Sequence, residues 1–264
     1  MEFWLFYLLT GIVAGFLAGL LGVGGGLVIV PVLTFIFTAQ HFPASHILHL
    51  ALGTSLASIL FTSVSSLRAH HAHGAVNWQL VRGVTPGILA GTFLGTVLAA
   101  QLSSNFLKGF FVMFVYYVAT QMLLNIKPKP TRQLPGWGGL FGAGSIIGGV
   151  SSLVGIGGGT LSVPFMTWCN IKMHQAIGTS AAIGFPIALA GAAGYIVNGL
   201  GTAGLPEYHL GFVYLPALAG LVLASVLTAP LGARLAHRLP VPQLKKIFAA
   251  LLYVLGTRML VSMF

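Results

Sequence analysis

Gly22-Val23-Gly24-Gly25-Gly26 with Pro31 after it, and Gly155-Ile156-Gly157-Gly158-Gly159 with Pro164 after it, decide the reading of this chain. Both clusters interrupt long apolar stretches, where each glycine lowers helix stability by about 1 kcal/mol relative to alanine. The gain is backbone freedom and close approach without a side chain. A broken helix also frees N–H and C=O groups, which hydrocarbon tolerates only where protein or a water-filled cavity surrounds them. The short apolar pieces that follow, Leu27–Phe37 and Thr160–Cys169, are expected to reach only about 15–17 Å, roughly half a bilayer. Each begins with unsatisfied N–H groups at the positive end of a helix dipole, which suits an anion. Pro31 and Pro164 remove a further donor. The competing reading is that these glycines only allow close packing between continuous helices.

Working outward, the rest of the chain is apolar as well. Of 264 residues, 12 are Lys or Arg and 2 are Asp or Glu, so 5% are charged, against about a quarter in an ordinary soluble domain. That excludes a water-soluble enzyme, a disordered chain and a nucleic-acid-binding domain. The net charge of +10 reflects scarce acids, not a phosphate-binding face. A lone cysteine, Cys169, excludes an internal disulfide framework. Long helices are expected at Phe3–Leu21, His46–Leu67, Leu80–Gln101, Asn105–Asn125, Trp137–Val154, His174–Asn198, Tyr208–Leu231 and Gln243–Met263. Trp4, Trp78, Trp137 and Trp168 fall at expected ends, as interfacial anchors do. With no basic n-region or cleavage site, the first segment reads as a retained membrane helix.

The chain is internally duplicated. Besides the glycine clusters, Gly53-Thr54-Ser55 recurs as Gly178-Thr179-Ser180, and Pro86 is echoed by Pro216. Leu107-Lys108 with Met122-Leu123 is echoed by Leu244-Lys245 with Met259-Leu260. The halves are 1–126 and 137–264, joined by a cytoplasmic linker, 127–136, into one transport domain. If each half crosses four times, basic residues divide evenly. If each glycine cluster is a turn, each half has five passes. Arg68, Arg82, Lys127, Lys129, Arg132, Lys172, Arg234, Arg238, Lys245 and Lys246 then fall on one side. Lys108, Glu2 and Glu207 fall on the other, with Arg258, inside a helix, left aside. The positive-inside rule selects five passes with the N-terminus outside. An odd number inverts the second half. The expected fold is an all-α polytopic membrane protein of two inverted repeats. Each has about four long transmembrane helices plus a glycine-broken half-helix return. Eight plain spans are the alternative.

Candidate substrate-binding residues are Gly24, Gly25, Gly26, Gly157, Gly158 and Gly159 through their amides, and Thr54, Ser55, Thr179 and Ser180 through hydroxyls able to donate to anion oxygens. Ser and Thr also bond back to carbonyls of their own helix. His46 with His49, and His70 with His73, have the i, i+3 spacing of a metal pair. No carboxylate or second cysteine accompanies either pair, so no metal or cofactor is expected. The loop pair reads as a solvated basic stretch near headgroups, His46 and His49 as structural, and Tyr116 and Tyr117 as packing residues. Arg258 reads as snorkelling to the surface.

These motifs carry a resemblance. The run Gly-Leu-Leu-Gly-Val-Gly-Gly-Gly ending at Gly26, with Pro31, the Gly-Thr-Ser repeat, and the second Gly-Ile-Gly-Gly-Gly copy with Pro164 resemble the sulfite exporter TauE/SafE family over nearly the whole chain. That family is also called the toluene sulfonate uptake permease family. The resemblance implies a multi-pass permease of the bacterial cytoplasmic membrane for sulfur-containing anions such as sulfite and organosulfonates. Two features depart from it: the His-rich stretch Arg68–Trp78, and a longer interval from Pro31 to Gly53 than from Pro164 to Gly178.

No acid lies in an expected span, whereas cation-coupled pumps rely on intramembrane carboxylates. Expelling one negative charge from a negative-inside cell gains about 2.3 kcal/mol per 100 mV, so an anion exporter needs no coupled ion. Alternating access about the glycine turns is the expected mechanism. A channel for another small polar solute and a non-transporting membrane assembly factor are the rivals, and an enzyme is not expected. Expected partners are a small organic or inorganic anion, the lipid bilayer and, as an option, a second copy in a homodimer, with no nucleic acid.

Overall fold

A computed structural model describes residues 3–22, 24–125, 131–236 and 241–263. Its helices are α1 (Trp4–Leu21), α2 (Gly26–Ala39), α3 (Ile47–Ala72), α4 (Trp78–Gln101), α5 (Ser104–Leu123), α6 (Trp137–Val154), α7 (Gly159–Trp168), α8 (Met173–Gly199), α9 (Leu215–Ala236) and α10 (Val241–Val261). Between α8 and α9 a two-stranded antiparallel hairpin pairs β1 (His209–Leu210) with β2 (Val213–Tyr214). This is an all-α polytopic membrane fold. Seven helices are long and apolar enough to cross a membrane: α1, α3, α4, α5, α6, α8 and α9. α10 has the length, 21 residues, but carries Lys245, Lys246 and Arg258.

Two elements differ from their sequence-based bounds by more than two residues. α3 continues to Ala72 instead of stopping at Leu67, so half of the His-rich stretch is helical. α9 starts at Leu215, not Tyr208, because Tyr208 (φ 60°) and Gly211 (φ 55°) are left-handed and turn the chain into the hairpin. The linker residues Lys127 and Lys129, and also Glu2, Val23 and Arg238, lie outside the described residues.

The glycine clusters end helices. α1 stops at Gly22 in the left-handed region, its N–H bonded to the Ala18 carbonyl, and α6 stops the same way at Gly155 on Ser151. The chain then reverses. Gln40, just past α2, donates from Nε2 to the Tyr7 hydroxyl near the start of α1, 2.9 Å away. So α2 returns alongside α1 as a helical hairpin. Other glycines pack helices face to face instead. A Cβ on Gly11 would lie 2.6 Å from the Leu221 carbonyl, and one on Gly15 2.5 Å from Ser225 Cα, so α1 and α9 touch backbone to backbone. Gly87, Gly91 and Gly95 of α4 do the same against α6, and Gly83 meets the Leu140 side chain. Close packing therefore explains these stripes, while the clusters at 22–26 and 155–159 are turns.

Packing partners correspond under exchange of α1–α5 with α6–α10. α1 lies on α9 as α6 lies on α4, both in parallel. Central α3 and α8 run antiparallel, with Leu56 beside Gly191 and Ser63 beside Gly184. α5 and α10 are also antiparallel, tied by Tyr116 to Thr257, Thr120 to Tyr253, each 2.7 Å, and Lys108 to the Ser262 carbonyl, 3.2 Å. These directions bring Arg68, Arg82, Lys172 and Arg234 to the same end of the bundle and Lys108 to the other.

Candidate functional site

The two glycine turns meet. A Cβ on Gly24 (φ 83°) would lie 2.9 Å from both N and Cα of Gly157, and one on Gly26 would collide with the Gly155 carbonyl. The starts of α2 and α7 have Gly25 (φ 76°) and Gly158 (φ 77°) as caps, and neither is capped by a side chain. The first N–H groups of both helices have no partner within their own helix. Gly25 packs against the Ala14 carbonyl, and Gly158 against Ile187, Ile147 and Ser151.

Four hydroxyls tie this crossing across the halves. Ser55 on α3 donates to the Gly155 carbonyl at 2.7 Å, and Ser180 on α8 donates to the Gly22 carbonyl at 2.8 Å. Each serine thus holds the end of the other half's first helix. Thr54 and Thr179, next along, accept backbone N–H groups from Tyr214 and Asn77, both at 2.9 Å, and fix the entries to α9 and α4. All four side chains are fully buried. The serine protons are committed to carbonyls in this arrangement, and the threonine oxygens to the N–H groups that enter α9 and α4.

A cavity of about 10 Å³ adjoins the crossing, lined by Gly22, Gly24 and Gly157 with Thr62, Ser66 and Gly184 among its other walls; that is about one water. Ser180 also lines it, and Ser162 of α7 donates to the Ser180 oxygen at 3.1 Å. Of the ten sequence candidates, Gly24, Gly157 and Ser180 face this space. Ser55, bonded to the Gly155 carbonyl, is not among its lining residues. The sequence reading missed Thr62, Ser63, Ser66 and Gly184. The signal was present: Ser55, Ser58, Thr62 and Ser66 recur every three or four residues and form one polar stripe on α3. Ser58, Thr62 and Ser63 bond back to carbonyls of their own helix, and Thr62 also meets the Ser225 hydroxyl at 2.7 Å. The Ser66 hydroxyl, buried on the cavity wall, has no hydrogen-bond partner among the described residues.

On the other side of the crossing the interior is filled. Leu56, Tyr195 and Phe212 are buried there, and the His49 ring packs 5.1 Å from that of Phe212. Tyr195 donates to the Ser152 carbonyl at 3.0 Å.

Comparison with known proteins agrees with this architecture. The family profile described as "Sulfite exporter TauE/SafE" matches residues 7–259. The chain belongs to this family. A probable membrane transporter protein of Haemophilus influenzae is 42% identical over 98% of both chains. Others with that description are 26% identical in Methanocaldococcus jannaschii, over 96% of this chain and 94% of the relative, and 27% identical in Bacillus subtilis, over 95% and 94%. No solved structure matches.

Within this TauE/SafE chain the remaining candidates lie away from the crossing. His49 is buried with Nε2 3.0 Å from the Ala99 carbonyl, and no group of three metal-binding side chains occurs among the described residues. His70 corrects the reading of a solvated pair. It is fully buried, with Nε2 3.1 Å from the Gly19 carbonyl, because α3 extends beyond Leu67 and turns this ring inward. His73, the residue just past α3, is exposed. Tyr116 and Tyr253 pack ring to ring at 5.6 Å. Arg258 lies in the last turn of α10, its guanidinium 5.8 Å from the Phe35 ring centre. Arg132 stacks at 4.9 Å on Trp168, which seats the described end of the linker on α7.

Proposed function

We propose that this TauE/SafE member is a membrane transporter that carries small sulfur-containing anions, sulfite or sulfonates, across the bacterial cytoplasmic membrane by alternating access. The observation that carries the reading is the contact of Gly24 with Gly157. It joins two uncapped helix starts, from helices running in opposite directions, at one cavity walled by hydroxyls. Glu207 is the sole acid among the described residues and lies in the loop before the hairpin. An oxyanion there meets amides, hydroxyls and positive helix ends with no opposing carboxylate. The six cluster glycines supply the approach, Ser55 and Ser180 the switchable donors, and Thr54 and Thr179 the frame.

The closed cavity is too small for sulfite. Binding requires the turns to part, which frees the Ser55 and Ser180 protons from the Gly155 and Gly22 carbonyls for the anion. The antiparallel halves, 1–126 and 137–264, form inverted repeats, so parting on one face is mirrored by closure on the other. The basic helix ends face the cytoplasm and the N-terminus lies outside.

Proteoliposomes test this. Sulfite flux should be saturable, show counterflow, and rise when the compartment holding sulfite is made negative. Flux indifferent to the imposed potential would contradict electrogenic transport, and non-saturating flux without counterflow would contradict a carrier.

A further inference from the structure

A second site lies away from the crossing. A cleft of about 750 Å³ separates α3, α8 and α9 on the basic side, within the range of pockets that bury a small organic ligand. Its body is apolar: Phe61, Phe185 and Leu189 line it and are 47%, 37% and 47% exposed, so it opens sideways to the surroundings of the bundle. Its end is basic: Arg68 from α3 and Arg234 from α9 close it, with His73 beside them. No acid is among its lining residues. Glu207 precedes α9, at the end opposite Arg234, about 30 Å away along a 22-residue helix.

An apolar trough ending in two guanidiniums is a poor seat for a small hydrated anion. It matches an amphiphile with a hydrocarbon chain and an anionic phosphate head. We propose that this cleft binds an anionic phospholipid of the leaflet on the basic side. One acyl chain lies along Phe61, Phe185 and Leu189, and the phosphodiester lies between Arg68 and Arg234. Bound there, the lipid bridges α3 and α9, which are otherwise joined by Thr62 to Ser225 and by Ser65 to the Val226 carbonyl, 2.8 Å. That carbonyl lost its helical donor to Pro230, and the Ser65 hydroxyl takes the place of that donor.

The test uses the full-length protein in detergent, titrated with phosphatidylglycerol or phosphatidylcholine while thermal unfolding is followed. Phosphatidylglycerol should raise the melting temperature more than phosphatidylcholine. The double variant R68Q/R234Q should weaken apparent phosphatidylglycerol affinity about thirtyfold and leave the phosphatidylcholine response unchanged. Leu189→Trp, which fills the trough but keeps both arginines, should also weaken it. Full phosphatidylglycerol stabilisation in the double variant would overturn the proposal. So would equal stabilisation by sulfite or glycerol phosphate that displaces the lipid, since the cleft would then be an anion vestibule. None of these outcomes depends on whether the crossing transports sulfite.

Discussion

The two halves match helix for helix, yet they line the two sides of the glycine crossing with different chemistry. Aligned on Gly53-Thr54-Ser55 and Gly178-Thr179-Ser180, α3 continues with Ser58, Thr62, Ser66 and His70 where α8 has Ile183, Ile187, Gly191 and Tyr195. His70 on the Gly19 carbonyl and Tyr195 on the Ser152 carbonyl occupy matching places, one per half. The halves share the reciprocal serine ties and the parallel pairs α1–α9 and α4–α6. They differ in the lining on either side of the crossing. Toward the basic side the interior is small and hydroxyl-lined, while toward the other it is closed by Leu56, Tyr195 and Phe212.

Breaking what the halves share should have the largest effect. Gly24→Leu places a side chain at φ 83° against the Gly157 backbone, with no flexible group able to yield. Sulfite flux in proteoliposomes should fall to background, and the crossing should be destabilised by several kcal/mol. Normal flux with normal stability would remove the crossing from the mechanism.

The stripe found in only one half gives a sharper test. Among the described residues Ser66 has no partner for its buried hydroxyl, so Ser66→Ala should leave unfolding in detergent unchanged or raise its midpoint slightly. If that hydroxyl serves the anion, flux should drop about tenfold or more, the value of a hydrogen bond to a charged group. Unchanged flux would make the stripe structural only.

The serine ties predict a graded loss. Ser55→Ala leaves one buried glycine carbonyl without its donor and should cost about 1–3 kcal/mol. Ser180→Ala leaves the Gly22 carbonyl without its donor and the buried Ser162 hydroxyl without its acceptor, so denaturation should show the larger loss there. Equal losses would show that the Ser162 bond carries nothing. Tyr195→Phe, which removes one bond and no packing, should cost about 1 kcal/mol.

Most of the fold was legible because membrane burial writes itself in apolar runs and charge placement. The ten segments, the turns at 22–26 and 155–159 and the gathering of Arg68, Arg82, Lys172 and Arg234 at one end all follow from that. The Tyr208–Tyr214 hairpin was not, because it is too short for strand periodicity and its left-handed residues include a tyrosine. The helical extension that buries His70 escaped because Arg68 and three histidines read as a solvated loop. The site was half legible. Paired glycines announced the turns, but the committed serine protons depend on α3 and α8 crossing between the halves. The spacing of Thr62 and Ser66 on α3 was readable as a polar stripe, whereas Gly184 faces the cavity through a tertiary contact no local pattern states.

Gly184 permits the most direct test of the crossing as the seat of the anion. A Cβ there would meet the Gly157 carbonyl at 3.4 Å and Ser63 Cβ at 3.6 Å, ordinary contacts, inside a helix where alanine is favoured over glycine. Equilibrium binding of radiolabelled sulfite to purified wild-type and Gly184→Ala protein, with thermal unfolding measured in parallel, separates fold from site. The account predicts one saturable site in the wild type and at least tenfold weaker binding in a variant that is as stable or more so. Undiminished binding by a well-folded Gly184→Ala protein would contradict it.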